Sequence, residues 1–424
     1  MVSKAKSSIV GVGCTKFGNV MKTPELKDKT FHEMITEAAF EAMDDAHMEG
    51  KDIDAFYVGS MLSHGSHMYS HHTQLADWLG LQNKPGLHFA TACSTLNTGL
   101  GLATMAVQSG KFDNVLVVGA ETLGSYPDDN PVKRKAIDPA DLWYWTDFGV
   151  DQIYGYHHCY DIASAYGAIP TMGYGRKYGL SLDKMDEVMY KVHDAVRSYS
   201  SKNPKAFVTE SLKQAAKKKG FKDTFKFWKS KNNPFFAYPT RLWSALNTVD
   251  GASAYIVSKA KDAKKHSKKP VDILGFHWSS SNYPWYGKDP TNWDIDKIAF
   301  KGAYKMAGVK PKDLDYLYVH DCMQIYQLIL AETAGYLKKG EAWKAFMEDR
   351  TKRGGDKPMN ASGGRHGKGH AFAASPGAET YEIVKQMRGE VEKGRQIKKP
   401  INIAAQHNHG YGMHAAVTVM KRGW

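Results

Sequence analysis

The stretch Lys51-Asp52-Ile53-Asp54-Ala55-Phe56-Tyr57-Val58-Gly59 returns later in the chain as Lys312-Asp313-Leu314-Asp315-Tyr316-Leu317-Tyr318-Val319-His320. Both copies set Lys-Asp-aliphatic-Asp before an aromatic-rich apolar run. Each also follows a helix-like segment, Ala39-Phe40-Glu41-Ala42 in one and Phe300-Lys301-Gly302-Ala303 in the other. The offset is 313 − 52 = 261 residues, and at that offset Ala42 meets Ala303, Ala46 meets Ala307 and Val58 meets Val319. Register kept from helix through turn to strand predicts a duplicated α/β unit, two similar halves packed together.

Further strands are expected in both halves. Ser8–Val12, Val115–Gly119 and Ala252–Val257 belong to the first, and Val271–Gly275, Ile401–Ala405 and Ala415–Val419 to the second. Their continuous apolar runs suit strands buried on both faces. Helices are expected from Ser94 to Ser109 and from Gly377 to Met387. Between two strands of the first half lies an insertion of roughly residues 122–248, aromatic at first and lysine-rich later, which reads as a cap or binding subdomain. The expected division is residues 1–121 with 249–265 as the first half, 122–248 as the inserted cap, and 266–424 as the second half.

Composition narrows the function. The 424 residues, 42% hydrophobic and 24% charged, have the balance of a soluble globular protein with room for a large core. No apolar run approaches the ~20 residues of a membrane span, no leader is apparent, and four cysteines do not make a disulfide scaffold. A reduced, cytoplasmic setting is therefore expected. The net charge of +13 would suit nucleic acid or an anionic small molecule. Without zinc-finger spacing, an aromatic RNA motif or a basic helix-turn-helix, a polyphosphorylated cofactor is the better candidate.

Three segments carry chemistry. The second repeat closes on Val319-His320-Asp321-Cys322-Met323, which puts an imidazole and a thiol at a strand's carboxyl end, where open α/β sheets place their sites. If the strand geometry persists, His320 and Cys322 point to one side. Cys93, in Ala90-Thr91-Ala92-Cys93-Ser94-Thr95, sits at a helix start, where unpaired N–H groups and the helix dipole favour a thiolate; the bland alternative is a buried structural cysteine. His370 follows a glycine-rich loop, Gly363-Gly364-Arg365-His366-Gly367-Lys368-Gly369, that lets the backbone bring an imidazole inward, although such loops also bind phosphate or merely turn. Two thiols and two histidines on separate loops point to carbon–carbon bond chemistry through a covalent thioester. Gln406-His407-Asn408-His409-Gly410-Tyr411-Gly412 follows a strand and can present backbone amides to an oxyanion. His320 and Cys322 also resemble half a zinc site, but no second Cys/His pair stands at a ligand interval, so no metal is expected. The histidines 64, 67, 71 and 72 read as an interface or lid loop.

Taken together these segments resemble a thiolase, of the sterol-carrier-protein type and its archaeal, acetyl-CoA acetyltransferase-like relatives. The resemblance runs over nearly the whole chain, from Gly11-Val12-Gly13-Cys14 through the Cys93 loop, Asp250-Gly251-Ala252, His320-Asp321-Cys322, Asn360-Ala361-Ser362-Gly363-Gly364 and Gly369-His370 to Gln406-His407-Asn408-x-Gly410-x-Gly412. It implies the layered αβαβα thiolase fold, coenzyme A as a substrate, a homodimer or higher assembly, and a small zinc-ribbon/OB-fold partner protein. By position, Cys93 resembles the nucleophile that accepts the acyl group and His370 its base. Asn408-His409-Gly410 stands where other thiolases carry a second cysteine, so Cys322 takes that acid/base role, with His320 orienting a water or the enolate oxygen. Backbone N–H groups of Cys93 and Gly410 form the other oxyanion site. Lys217, Lys218 and Lys219 are expected to meet CoA phosphates.

Departures from the family pattern surround the acyl pocket. Ala371-Phe372-Ala373-Ala374-Ser375-Pro376 replaces a proline and small-residue run, and Met323 replaces a phenylalanine. With Trp143, Tyr144, Trp145, Tyr283, Trp285, Tyr286 and Trp293 they favour an aromatic or branched β-ketoacyl-CoA, as in benzoylsuccinyl-type thiolases of aromatic-compound degradation. A short-chain acetoacetyl-CoA thiolase, a thiolase-like retro-aldolase and a non-catalytic partner subunit are the competing readings. A retro-aldolase is expected to lack the nucleophilic cysteine, and Cys93 is present.

Overall fold

A computed structural model describes residues 2–61, 70–122, 163–281, 289–410 and 414–424. The first half runs β1 (Ser7–Cys14), α1 (Phe31–Asp45), β2 (Ala55–Gly59), α2 (His71–Trp78), β3 (Gly86–Phe89), α3 (Thr95–Gln108) and β4 (Asn114–Glu121). Then come α4 (Ile169–Lys177), α5 (Leu182–Ser200), α6 (Leu212–Lys218), α7 (Thr224–Trp228) and the short hairpin β5 (Phe235–Ala237) and β6 (Thr240–Arg241), before β7 (Gly251–Lys259) and α8 (Ala263–His266). The second half comprises β8 (Val271–Ser280), α9 (Asp294–Ala307), β9 (Tyr316–Tyr318), α10 (Ile325–Thr333), α11 (Ala342–Met347), α12 (Gly364–Gly367), α13 (Ala374–Arg388), β10 (Ile403–Gly410) and β11 (His414–Arg422).

The strands join in the order β3-β2-β4-β7-β1-β8-β11-β10-β9. β2 runs parallel to β4, and β7 antiparallel to both β4 and β1. Across the junction β9 runs parallel to β10, and β11 antiparallel to both β10 and β8. The order β2-β4-β7-β1 is thus repeated as β9-β10-β11-β8, and the halves meet where Ser7–Ile9 pair with Val271–Ile273. The repeat is the fold's own.

Local chemistry explains why the repeated residues match. The two 3-10 turns Gly50–Asp52 and Pro311–Asp313 lie 261 residues apart, and each is closed by its aspartate accepting the N–H three residues back. The second aspartate does the same task in each copy. Asp54 accepts from the N–H groups of Asp113 and Asn114 at the start of β4, and Asp315 from those of Asn402 and Ile403 at the start of β10. The matched alanines mark where helix and strand approach closely. A Cβ on Gly11 would lie 2.1 Å from the Ala42 carbonyl, and one on Gly275 2.6 Å from that of Ala303.

Alternation along the strands separates the core into layers. Val115 and Val117 face inward with Leu96, Leu100, Tyr316 and Ile383, while Leu116 and Val118 face outward onto Met34, Ala38 and Ala42 of α1. α9 covers the outer face of the second half, with Phe300 and Ala303 packed beside Val417 and Val419. α3 and α13 lie between the halves, α3 touching strands of both. The arrangement is α–β–α–β–α, the thiolase-type layering that the sequence led us to expect. The expected strands all form, with β3 and the short hairpin strands β5 and β6 in addition, and β9 stops at Tyr318, one residue short of the expected end.

Residues 163–248, the described part of the expected insertion, are mostly helical and carry their own polar anchor. Arg241 donates from Nε (2.8 Å) and Nη2 (3.0 Å) to the two carboxylate oxygens of Asp186, which also accepts from Trp228 Nε1 at 2.7 Å. All three side chains are buried. Of the expected aromatic pocket, residues 143–145 and 283–286 lie outside the described residues, as do His64 and His67. No described helix is long and apolar enough to cross a membrane.

Candidate active site

The site forms where three loops meet beneath α3. Cys93 lies in the 3-10 turn Ala92–Ser94 that opens into α3, just after Ala92, a non-glycine residue held at φ 49°. Such a conformation is costly for a residue with a Cβ and is typical of functional turns. Thr95 Oγ1 accepts the N–H of Thr91, and Ser94 Oγ donates to the Thr91 carbonyl, so the turn is tied to the helix it starts. Gly410, at the end of β10, backs onto this turn.

The second loop leaves β9. Asn360 grips both backbone groups of Val319, accepting its N–H (3.0 Å) and donating to its carbonyl (2.9 Å), which fixes the chain just before His320. Asp321 then accepts from the Arg365 N–H at 3.0 Å and from Gln327 Nε2 at 2.8 Å. The third loop is the glycine run. Gly363, Gly364 and Gly369 all take positive φ (104°, 57° and 105°), conformations closed to ordinary side chains, and these turns bring Arg365 and His370 back inward. The end of the insertion pins the same loop: the His370 N–H donates to the Asn247 carbonyl, and the Val249 N–H to that of His370.

Cys93 Sγ lies 3.1 Å from His370 Nε2, and His370 Nδ1 lies 2.9 Å from Ser375 Oγ. Burial pushes the Cys93 thiol up to about 12; Arg365 opposes this, while Glu121 and Glu379 add to it. Burial thus acts against the pull toward thiolate expected from the helix start. Burial, with Arg365 and His366 nearby, holds His370 well below the ordinary histidine range. Burial favours the neutral form of both thiol and imidazole, and their contact is the geometry of a nucleophile and its base.

His320 and Cys322 join them. The His320 ring stands 6.0 Å from that of His370, 6.1 Å from that of His409 and 5.7 Å from that of Tyr326. Burial holds His320 neutral as well. Burial raises the Cys322 thiol too, Cys93 is near enough to add to this, and Tyr326 bonds to it. Cys93, His320, Cys322, His370 and the Gly410 backbone are thus brought together. Lys217, Lys218 and Lys219 sit elsewhere, exposed at the end of α6, with Lys218 already paired to Glu210.

Several residues of the site did not stand out in the sequence. Arg365 is buried among the catalytic candidates and makes an ion pair with Glu379 on α13, donating from Nε (3.1 Å) and Nη2 (3.0 Å) to Oε1. Burial lifts the Glu379 carboxyl to about 7 against the pull of Arg365, and Asn408 donates to its other oxygen at 2.5 Å. Asp296 on α9 takes both His407 (2.7 Å) and His409 (3.0 Å) on one oxygen. Arg365 had one visible signal, a charged residue inside the glycine run that carries the histidine. Trp293 packs edge-on to Tyr326 at 4.4 Å and 5.7 Å from His409, so it lines the neighbourhood of the site. Among the described residues no group of three or more His, Cys, Asp or Glu side chains is arranged to hold a metal ion.

Comparison with known proteins agrees with this geometry. Residues 7–206 match the family model described as thiolase, N-terminal domain, and residues 287–422 the thiolase C-terminal domain-like model. The chain belongs to the thiolase family of acyltransferases. It is similar to the acetyl-CoA acetyltransferase of Methanothermobacter thermautotrophicus, 32% identical over 98% of this chain and 99% of that one. It is also similar to sterol carrier protein 2 of Bos taurus, 27% identical over 98% of this chain and 72% of the relative. In fold it resembles the Ltp2-ChsH2(DUF35) aldolase (TM-score 0.78, 19% identity, covering 100% of this chain and 99% of the other). Human mitochondrial 3-ketoacyl-CoA thiolase in complex with CoA is a further neighbour (TM-score 0.67, 16% identity, covering 99% of each chain). Of the segments that carry the resemblance, the Cys93 turn, His320-Asp321-Cys322 and Gly369-His370 meet at one site.

Proposed function

We propose that this thiolase cleaves a β-ketoacyl-CoA with free CoA, or runs the reverse condensation, through an acyl-enzyme on Cys93. The 3.1 Å contact between Cys93 Sγ and His370 Nε2 carries the reading. In cleavage, His370 takes the thiol proton while the sulfur attacks the β-keto carbon. The C–C bond then breaks and its electron pair becomes the enolate of the departing acyl-CoA. Cys322 gives its proton to that carbon. The resulting Cys322 thiolate takes the proton of CoA, whose sulfur attacks the acyl group and releases Cys93, and His370 returns the first proton. Backbone N–H groups of Cys93 and Gly410 serve the acyl oxygen, and His320 and His370 serve the enolate.

The acyl group is bulky or aromatic on this account, supported by Tyr326, which bonds to Cys322, and by Trp293 packed edge-on to Tyr326. CoA phosphates meet Lys217 and Lys219, with Lys218 held by Glu210. The chain works as a homodimer or higher assembly with a small zinc-ribbon/OB-fold partner. Support comes from the fold neighbour whose description names a DUF35 partner, and from β3, which ends the described sheet. Thiolysis of a panel of β-ketoacyl-CoAs, with and without that partner, tests this. The reading predicts a higher kcat/KM for an aryl substrate than for acetoacetyl-CoA; the opposite ranking would return the chain to short-chain metabolism.

A further inference from the structure

Arg365 holds a position that the thiolysis scheme leaves unused. Its Nε and Nη2 face Glu379, and Asn408 fixes the far oxygen of that carboxylate, so the guanidinium is locked in orientation. Its remaining nitrogen, Nη1, points away from Glu379 and contacts two imidazoles, in hydrogen-bond contact with His320 Nδ1 and 3.3 Å from His370 Nε2. Among the described residues Nη1 meets no carboxylate. An imidazole nitrogen offers one lone pair, and that of His370 already faces the Cys93 thiol at 3.1 Å. One Nη1 hydrogen is satisfied by His320 Nδ1, while the other is directed to His370 Nε2, an acceptor the Cys93 thiol already uses. A buried cationic N–H is costly unless an acceptor satisfies it at some stage, and a substrate oxygen can do so.

We propose that Arg365 Nη1 donates to the thioester oxygen of the acyl-CoA that loses or gains the α-proton, making Arg365 a catalytic residue that holds the enolate as an ion pair. This deepens the thiolase reading and rests on it. As the C–C bond breaks, its electron pair delocalises onto the thioester oxygen, set on this proposal beside His320 and His370 within hydrogen-bond reach of Nη1. Cys322 supplies the proton to carbon, and Arg365 keeps its own throughout. A charged donor there is stronger than a neutral one, and Glu379 sets its angle without reaching the reacting atoms.

The test separates two partial reactions. The first is acyl transfer to Cys93 from a simple acyl-CoA lacking the β-keto group, a step that breaks no C–C bond and forms no enolate, read by intact mass. The second is exchange of the α-protons of the product acyl-CoA in heavy water, read by mass spectrometry. The double variant Arg365→Gln with Glu379→Gln leaves no unpaired buried charge. We expect its exchange to fall ~10²–10³-fold, as when an oxyanion donor is removed, with acylation much less affected and KM for CoA unchanged. Arg365→Lys should restore part of the exchange. If the double variant does not fold, as judged by circular dichroism, Arg365→Lys decides: reduced exchange with unchanged KM supports the role. Wild-type exchange in a folded Arg365 variant would overturn it. So would retained exchange with a loss of preference for carboxylate-bearing acyl groups, which would make Arg365 a substrate-carboxylate ligand. Absence of any Cys93 adduct in the wild-type enzyme would instead remove the thiolase reading beneath it.

Discussion

Replacing Gly410 with alanine tests whether the end of β10 and the Cys93 turn are held at contact distance for catalysis. A Cβ at Gly410 would stand 2.4 Å from the Thr91 carbonyl oxygen and 2.7 Å from Ser94 Oγ, whereas real Cβ atoms essentially never come within 3.0 Å of such a neighbour. The nearer atom is backbone, so relief requires a displacement of at least 3.0 − 2.4 = 0.6 Å between β10 and the turn. That separation sets the distance between the N–H groups of Cys93 and Gly410. Misplacement approaching 1 Å at a reacting centre costs on the order of 10²-fold, so kcat/KM for thiolysis should fall ~10–10²-fold, about 1.4–2.7 kcal/mol. The overpacking itself should cost ~1–3 kcal/mol of stability, measurable as a lower Tm. The assay is steady-state thiolysis followed by loss of β-ketoacyl-CoA, at a temperature where circular dichroism shows the variant folded. Wild-type kcat/KM in folded Gly410→Ala would refute the oxyanion role of this junction.

Cys322→Ser should still acylate at Cys93 yet lose α-proton exchange and most turnover; full turnover would move the proton to another group. Replacing Lys217, Lys218 and Lys219 with Gln should raise KM for CoA at low ionic strength while leaving kcat in place, and an unchanged KM would make these lysines a solvated face. Asp186→Ala strands the buried Arg241 guanidinium and should cost roughly 3–5 kcal/mol, read by denaturant unfolding. Thermal stability should fall as pH drops below about 6.5, the ordinary histidine value. His193, His320 and His370 are buried and held well below it, and burial lowers His71 and His414 to about 4. The unfolded chain therefore takes up protons first, and the stability present above that value is lost below it. Glu379, lifted to about 7, acts in the opposite sense as one group against five. A Tm that rises from pH 7.5 to 5.5 would contradict this.

The sequence disclosed the parts of the site whose chemistry is local. Cys93 and His370 stand in runs of small residues, and His320 and Cys322 break an apolar strand, so side-chain type and position were sufficient to find them. The repeat was legible because Asp54 and Asp315 fasten the same neighbouring strand in each half. Arg365 was harder to recognise because a charged residue in a glycine loop usually faces water. Its burial depends on Glu379 14 residues later, on a helix face that only the packed halves enclose. Asp296 was hidden for the same reason: an acid in the first turn of α9 looks like a dipole partner until β10 brings His407 and His409 to it. The burial that pushes the Cys93 thiol up could not be read locally either, since it comes from the packed halves rather than from the turn.

The central claim is covalent, so mass reports on it most directly. The enzyme is incubated with a β-ketoacyl-CoA in the absence of free CoA, quenched in acid, and weighed intact before peptide mapping. The account predicts a single acyl adduct on Cys93 that is discharged by added CoA and absent from Cys93→Ala. An adduct mapped to Cys14 or Cys159, or turnover that persists in Cys93→Ala, would contradict it.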